Sequence, residues 1–162
     1  EYQEQKQKNT QHVIDSVKEF AKEKYKVDIF KLESPVDSNE LENNISIETE
    51  VAFNDLAKAT SNKPWVVLSS GMGKKSFYKC LELAYKNGAS GYLAGRTIWL
   101  DAFKNYPNIS NIDKGLKTES VNYINKLNDL TSRNAYSLDT YFTNGFKIKD
   151  PENFTKDFGD FK

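Results

Sequence analysis

A single cysteine, Cys80, excludes any intrachain disulfide from this 162-residue chain. It sits in Phe77-Tyr78-Lys79-Cys80-Leu81, on what reads as the buried side of a helix, where it serves as a small core residue. The lack of covalent staples fits a reducing compartment, and a cytoplasmic location is the expectation. Histidine is as scarce: His12 is the only one, and it reads as an ordinary surface or partly buried side chain in a helix. No His/Cys/carboxylate cluster has metal-ligand spacing, so neither a metal nor another cofactor is expected. No apolar run is long enough to cross a bilayer, and no signal peptide is visible. Neither sign of charge is in excess, with 23 basic and 23 acidic residues. No long-range field would draw the whole chain onto nucleic acid or lipid, and neither is expected as a partner. A G-x-S-x-G elbow and a phosphate-binding P-loop are also missing.

What is present describes a folded protein. Aromatics make up 13% of the chain and hydrophobic residues 38%, enough for one domain with a core. Residues 1–9 are polar and without period, a loose lead-in. Val13, Val17, Phe20 and Ala21 recur at helical spacing, with Thr10 as cap and an end near Lys24. Val27 to Glu33 reads as a strand stopped by Pro35. Residues 36–49 read as a polar loop, after which Thr49 caps a helix carrying Val51, Ala52, Leu56 and Ala59. Trp65-Val66-Val67-Leu68-Ser69 has the pattern of a strand buried on both faces. Ser70 to Gly73 is a turn, and Phe77, Cys80, Leu81 and Ala84 mark a third helix ending at Asn87-Gly88. Gly91 to Ala94 is a short strand. Gly95-Arg96 leads into a helix with Ile98, Trp99, Ala102 and Phe103, and a further helix spans 117–130. Residues 132–162 hold aromatics without a clean period.

Strands alternating with helices predict an α/β fold with a parallel sheet and crossover helices. An open doubly wound sheet and a barrel compete. No strand leads into G-x-G-x-x-G, which counts against the dinucleotide-binding form. A complete eight-stranded barrel needs about 250 residues, and three strands alone leave two open edges. The expectation is part of a (β/α)8 barrel: a lead-in at 1–9, the partial barrel at 10–131 and a tail at 132–162. A first residue of Glu1 rather than Met fits a cut, processed or partial chain.

Two strand ends look alike, Leu68-Ser69-Ser70-Gly71 and Leu93-Ala94-Gly95-Arg96. Each puts glycine where a strand turns toward a helix. Glycine lets a ligand approach the backbone, and helix starts attract anions. Arg96 adds a fork suited to phosphate. In barrels, the loops after the last two strands often form a phosphate site. Lys31 lies between apolar neighbours in the first strand. Burial there would lower its pKa and supply the neutral amine that forms Schiff bases. The alternative is a lysine whose head reaches solvent at the strand end, and the strand by itself favours it. Alternation puts Ile29, Lys31 and Glu33 on one face, so Glu33 could pair with Lys31, hold water or move protons.

The run Tyr25-Lys26-Val27-Asp28-Ile29-Phe30-Lys31-Leu32-Glu33-Ser34-Pro35-Val36 resembles the sixth strand of the tagatose-1,6-bisphosphate aldolases, class I enzymes with barrel folds. Trp65 to Gly71 resembles their seventh strand and phosphate turn, and Gly91 to Trp99 their eighth strand and following helix. The resemblance covers about residues 10–130. It implies the C-terminal portion of a (β/α)8 barrel, strands six to eight, with Lys31 as Schiff-base residue. Ser69, Ser70, Gly71, Gly95 and Arg96 would then hold the substrate phosphate. The sulfofructose-phosphate aldolases share the pattern. The family's first five strands, with the proton-transfer acid on the fifth, are not in this sequence, and the 36–49 loop is shorter than in the tagatose enzymes.

The implied function is metal-free cleavage of a ketose bisphosphate, such as tagatose 1,6-bisphosphate, into dihydroxyacetone phosphate and glyceraldehyde 3-phosphate. The implied partners are the phosphorylated ketose and the missing N-terminal barrel half or another chain, with homo-oligomers left open. Two rival readings stand beside it. One is a non-catalytic half-barrel for binding, regulation or assembly. The other is a phosphate-binding barrel enzyme, such as an isomerase, in which Lys31 is not covalent.

Overall fold

The computed structural model describes residues 10–42 and 45–145. The lead-in at 1–9 and the tail from 146 onward lie outside the described residues. The elements run α1 (Thr10–Phe20), β1 (Phe30–Leu32), α2 (Ser38–Glu42), α3 (Ile47–Ala59), β2 (Trp65–Leu68), α4 (Lys74–Lys86), β3 (Gly91–Leu93), α5 (Arg96–Phe103), α6 (Ile109–Gly115) and α7 (Val121–Asn134). A π-helical turn, Leu116–Ser120, joins α6 to α7. The fold is α/β, as the alternation predicts. Among the described residues, the strands form one parallel sheet in the order β1-β2-β3. Lys31 pairs with Val66, and Val66 with Gly91.

The register sorts side chains onto two unequal faces, because residues in one row of a parallel sheet point the same way. Phe30, Leu32, Trp65 and Val67 are buried and join Phe53, Leu56, Phe77 and Leu81 in the core under the helices. Lys31 and Leu93 are exposed on the opposite face, and Val66 and Leu68 are half-buried there. This corrects the expectation that the Trp65 strand is covered on both faces. An unbroken apolar run cannot say which of its faces receives a layer of helices.

Other boundaries also shift. The strand expected over 27–33 narrows to three residues, because Glu23–Tyr25 forms a 3₁₀ turn and Lys26 takes a left-handed φ of 50° before it. Thr10 is helical and does not cap: its hydroxyl donates to the Pro35 carbonyl at 2.8 Å, tying α1 to the chain after β1. The supposed polar loop at 36–49 contains α2, a single turn with one buried apolar residue, Leu41. Its Glu42 accepts from Ser76 of α4 at 3.0 Å. Tertiary contact sustains a helix too short for periodicity to reveal.

The cap of α3 is Ser46, not Thr49: the Ser46 hydroxyl accepts the Thr49 N–H at 3.2 Å. Glu48 and Glu50 in the first turn add favourable charge at the positive end of the helix. Ser46→Ala is expected to lower stability by about 1 kcal/mol, the usual cost of losing such a cap, as read by urea denaturation. An unchanged midpoint would mean that another group caps this helix.

Helix α4 matches its sequence pattern closely. Cys80 is fully buried, and the helix ends at Asn87 with Gly88 at a φ of 85°. Helix α7 packs on α4 through buried Tyr123 and Leu127 and runs on to Asn134. Three tyrosine hydroxyls fasten it. Tyr123 donates to the Lys74 carbonyl at 2.8 Å, Tyr92 donates to Asn128 at 2.7 Å, and Tyr85 meets Thr131 at 2.7 Å. Burial pushes the Tyr85 hydroxyl pKa up to about 12. On α5, Ala102 is buried, whereas Trp99 and Phe103 face outward at 39% and 47% exposure. Helix α6 has no counterpart in the sequence reading, since one buried residue, Ile112, carries no period.

Candidate active site

The C-terminal ends of the three parallel strands open onto a cleft of about 510 Å³. Lys31 enters it from β1, Ser69, Ser70 and Gly71 from the turn after β2, and Gly95 and Arg96 from the turn after β3. Each arrives there for a local reason. The β2–β3 ladder continues one step past β2, where the Ser69 N–H donates to the Leu93 carbonyl at 3.0 Å, and this buries Ser69. The chain then reverses through two successive left-handed residues, Ser70 at a φ of 47° and Gly71 at 80°. The second is an ordinary glycine position; the first is strained for a serine. The Met72 N–H closes the turn on the Ser69 carbonyl at 2.9 Å.

The two turns are locked to each other. The buried Thr97 hydroxyl donates to the Met72 carbonyl at 2.8 Å. The Arg96 guanidinium lies directly over Gly71: a Cβ at position 71 would stand 3.3 Å from Nη2 and 3.4 Å from Cζ. Glycine is therefore required there twice, for its backbone angle and for the space that the arginine occupies.

Among the described residues, two cations and no carboxylate line this cleft. The leading amides of α5 have no acceptor within their own helix, and that end of the helix carries positive partial charge. The arrangement suits an anion held opposite an amine. Gly71→Ala is expected to displace the Arg96 guanidinium and to weaken inorganic phosphate binding about tenfold, the worth of one charge-assisted hydrogen bond. Gly88→Ala is the control. It has a comparable φ of 85°, with open space around the added methyl. It should cost stability while leaving phosphate titrations, followed by amide shifts, unchanged.

Lys31 differs from expectation in one respect. It lies in the cleft with Arg96, yet its side chain is exposed rather than surrounded by Ile29, Phe30 and Leu32. Phe30 and Leu32 point into the core, so Lys31 takes the other face, and Ile29 beside it is 41% exposed. Among the described residues no layer covers that face, and Lys31 has no ion-pair partner. Glu33 is exposed just beyond the end of β1 and does not line the cleft with Lys31. Trp99 was missed as a site residue. It lines the cleft one helical turn beyond Arg96, with its indole nitrogen 3.7 Å from where a Cβ on Gly95 would lie. The spacing of three from Arg96 was the available signal, since such residues share a helix face. Among the described residues, no group of His, Cys, Asp and Glu side chains could hold a metal ion, and no helix is long and apolar enough to cross a membrane.

Comparison with known proteins adds lineage to this geometry. The family model described as DeoC/LacD family aldolase matches residues 1–101, more than half of the chain and all of the residues just described. Tagatose 1,6-diphosphate aldolase 1 of Enterococcus faecalis is 35% identical over 96 residues, covering 55% of this chain and 30% of that protein. Tagatose 1,6-diphosphate aldolase 2 of the same organism is 30% identical over 140 residues, covering 77% of this chain and 41% of the relative. Tagatose 1,6-diphosphate aldolase of Listeria monocytogenes is 31% identical over 132 residues, covering 74% and 38%. The chain thus spans between 30% and 41% of the length of these relatives. It belongs to the DeoC/LacD aldolase family, a family of class I aldolases.

Proposed function

We propose that this chain supplies strands six to eight of a (β/α)8 barrel, with residues 10–131 as the barrel portion, in a cytoplasmic class I aldolase acting on a ketose bisphosphate such as tagatose 1,6-bisphosphate. The observation that carries the reading is that Lys31 and the Arg96–Gly71 cradle open into the same cleft, at the carboxyl ends of parallel strands. Active sites of barrel enzymes lie at that end.

In this mechanism Ser69, Ser70, Gly71, Gly95 and Arg96 hold one substrate phosphate and turn the ketone toward Lys31. The neutral Lys31 amine attacks the carbonyl carbon, and water departs as the iminium forms. The bond between the third and fourth carbons breaks, with its electron pair moving into the iminium to give an enamine. The proton of the fourth-carbon hydroxyl passes to a base outside this chain, and glyceraldehyde 3-phosphate leaves. Protonation of the enamine and hydrolysis release dihydroxyacetone phosphate and restore Lys31. Glu33 is assigned to water or proton handling at the mouth.

The exposure of Lys31 sets a condition on this chemistry. Iminium chemistry of this kind runs in a site closed to bulk water, so the face bearing Lys31 must be covered. The barrel half supplied from elsewhere would do this. The same exposure favours a second reading, a non-catalytic half-barrel that binds phosphate or pairs with another copy. The test is a chimera carrying the N-terminal part of the Enterococcus faecalis tagatose 1,6-diphosphate aldolase 2 ahead of this chain. Borohydride reduction with dihydroxyacetone phosphate should leave an adduct on Lys31, found by peptide mass spectrometry, and the chimera should turn over. A folded chimera with bound phosphate and no adduct would support an isomerase-like or binding role instead.

A further inference from the structure

A second cluster of cations lies away from the Lys31 cleft. Between α4 and α7 is a cavity of about 460 Å³ lined by Lys74, Lys75, Tyr78, Lys79, Tyr123 and Lys126. Among the described residues, its wall has four ammonium groups and no acid. Two of the four are partly compensated from outside. Lys74 approaches Asp101 at 3.4 Å, but Asp101 is held more closely by Lys104 at 2.7 Å. Lys79 pairs with Glu82 at 2.8 Å. Lys75 and Lys126 have no acidic partner among the described residues.

This arrangement works against the helix that carries it. Lys74 and Lys75 occupy the first turn of α4, which has no acidic residue, so their charges oppose the positive end of the helix. Lys75 and Lys79 stand one turn apart on the same helix, and like charges at that spacing repel. Local electrostatics that oppose the helix and are only partly compensated, by Asp101 and Glu82, mark positions kept for another purpose. The aromatic wall holds the cations in place. The Lys126 ammonium lies 4.2 Å from the centre of the Tyr78 ring, and Lys74 lies 5.7 Å from that of Tyr123. Tyr123 is itself buried, with its hydroxyl committed to the Lys74 carbonyl at 2.8 Å. Burial raises its pKa, so the ring stays neutral and adds no negative charge to the wall.

We propose that this α4–α7 cavity is a binding site for a ligand bearing linked phosphate groups, separate from the Lys31 cleft. Lysine point charges suit phosphate oxygens. The two uncompensated cations come from different helices, and a pyrophosphate-type anion can satisfy both, whereas a single carboxylate leaves most of the charge unanswered. The volume falls within the range of small-molecule sites.

The test uses the 162-residue chain and inorganic pyrophosphate, followed by amide chemical shifts and calorimetry at low ionic strength, with sulfate at matched ionic strength as comparison. Saturable pyrophosphate binding with shifts on α4 and α7 is expected. Lys75→Gln with Lys126→Gln should weaken it about tenfold or more per ammonium removed. Lys75→Arg with Lys126→Arg should retain it. Both lysines are exposed, so these variants should fold, which circular dichroism checks. Arg96→Ala should leave the α4 and α7 shifts unchanged, whatever it does to anion binding in the Lys31 cleft, which separates the site from that cleft and from the fate of that assignment. Shifts on α4 and α7 that persist in the double glutamine variant or vanish with Arg96→Ala, sulfate producing the same shifts with equal strength, or no saturable pyrophosphate response on α4 and α7 would each overturn the proposal.

Discussion

Lys31→Met is expected to erase the borohydride-stable adduct with dihydroxyacetone phosphate and to lower turnover of the completed barrel at least about 10⁴-fold, on the scale seen when a covalent nucleophile is removed. Lys31→Arg should fail equally, because a guanidinium stays charged and cannot form the iminium. The variants are clean tests because Lys31 is exposed and turned away from the core. Substitutions at such positions usually change stability within about ±0.5 kcal/mol, so lost activity would not reflect unfolding. Arg96→Ala should behave differently. It would remove the proposed phosphate ligand but not the proposed nucleophile, so an adduct should still form at high substrate concentration while affinity falls about ten- to a hundredfold. A Lys31→Met protein that still traps the substrate would remove Lys31 from the mechanism.

Phe77→Ala should be the most damaging of the structural changes, with an expected loss of 3–5 kcal/mol, as is typical (~) for a buried phenylalanine. Domains are stable by only about 5–15 kcal/mol in total. Phe77 is fully buried on α4 and meets the Tyr92 ring edge-on at 6.0 Å, so it joins the helix layer to β3. Its removal leaves a cavity beneath the sheet on the side opposite the cleft. Urea denaturation followed by tryptophan fluorescence reports the loss, since Trp65 lies in the same core. If the alanine variant does not fold, Phe77→Leu supplies a smaller and measurable decrement. A cost below about 1 kcal/mol would mean that this core is not packed as described.

The two helix starts show where sequence patterns succeed and where they stop. Helix α4 was legible because Phe77, Cys80, Leu81 and Ala84 keep one face and Asn87-Gly88 ends it. Its buried Leu83 and Tyr85 lie outside that stripe: Tyr85 is covered where it meets Thr131 of α7, and Leu83 joins the core cluster on the other flank. Helix α3 was legible as a helix but not in its cap. Ser46 and Thr49 are both hydroxyl residues, and choosing between them requires knowing where the first turn closes. Helix α2 and helix α6 were invisible, since each buries a single apolar residue and owes its helicity to neighbours. At the site, both glycine turns could be read directly. That Thr97 fastens one turn to the other, or that Arg96 fills the space over Gly71, could not be read, because such contacts join residues that are distant along the chain.

By itself the sequence determined the alternation of strands and helices, the glycines at two strand ends, the lysine within the first strand and the resemblance to a family of aldolases. These are properties of neighbouring residues, and local sterics and hydrophobic period express them without reference to the rest of the chain. Only the tertiary structure decided which face of the sheet the helices cover. Alternation divides a strand into two sides without naming either, and the layer that packs on Phe30, Leu32, Trp65 and Val67 is what leaves Lys31 in the open cleft with Arg96.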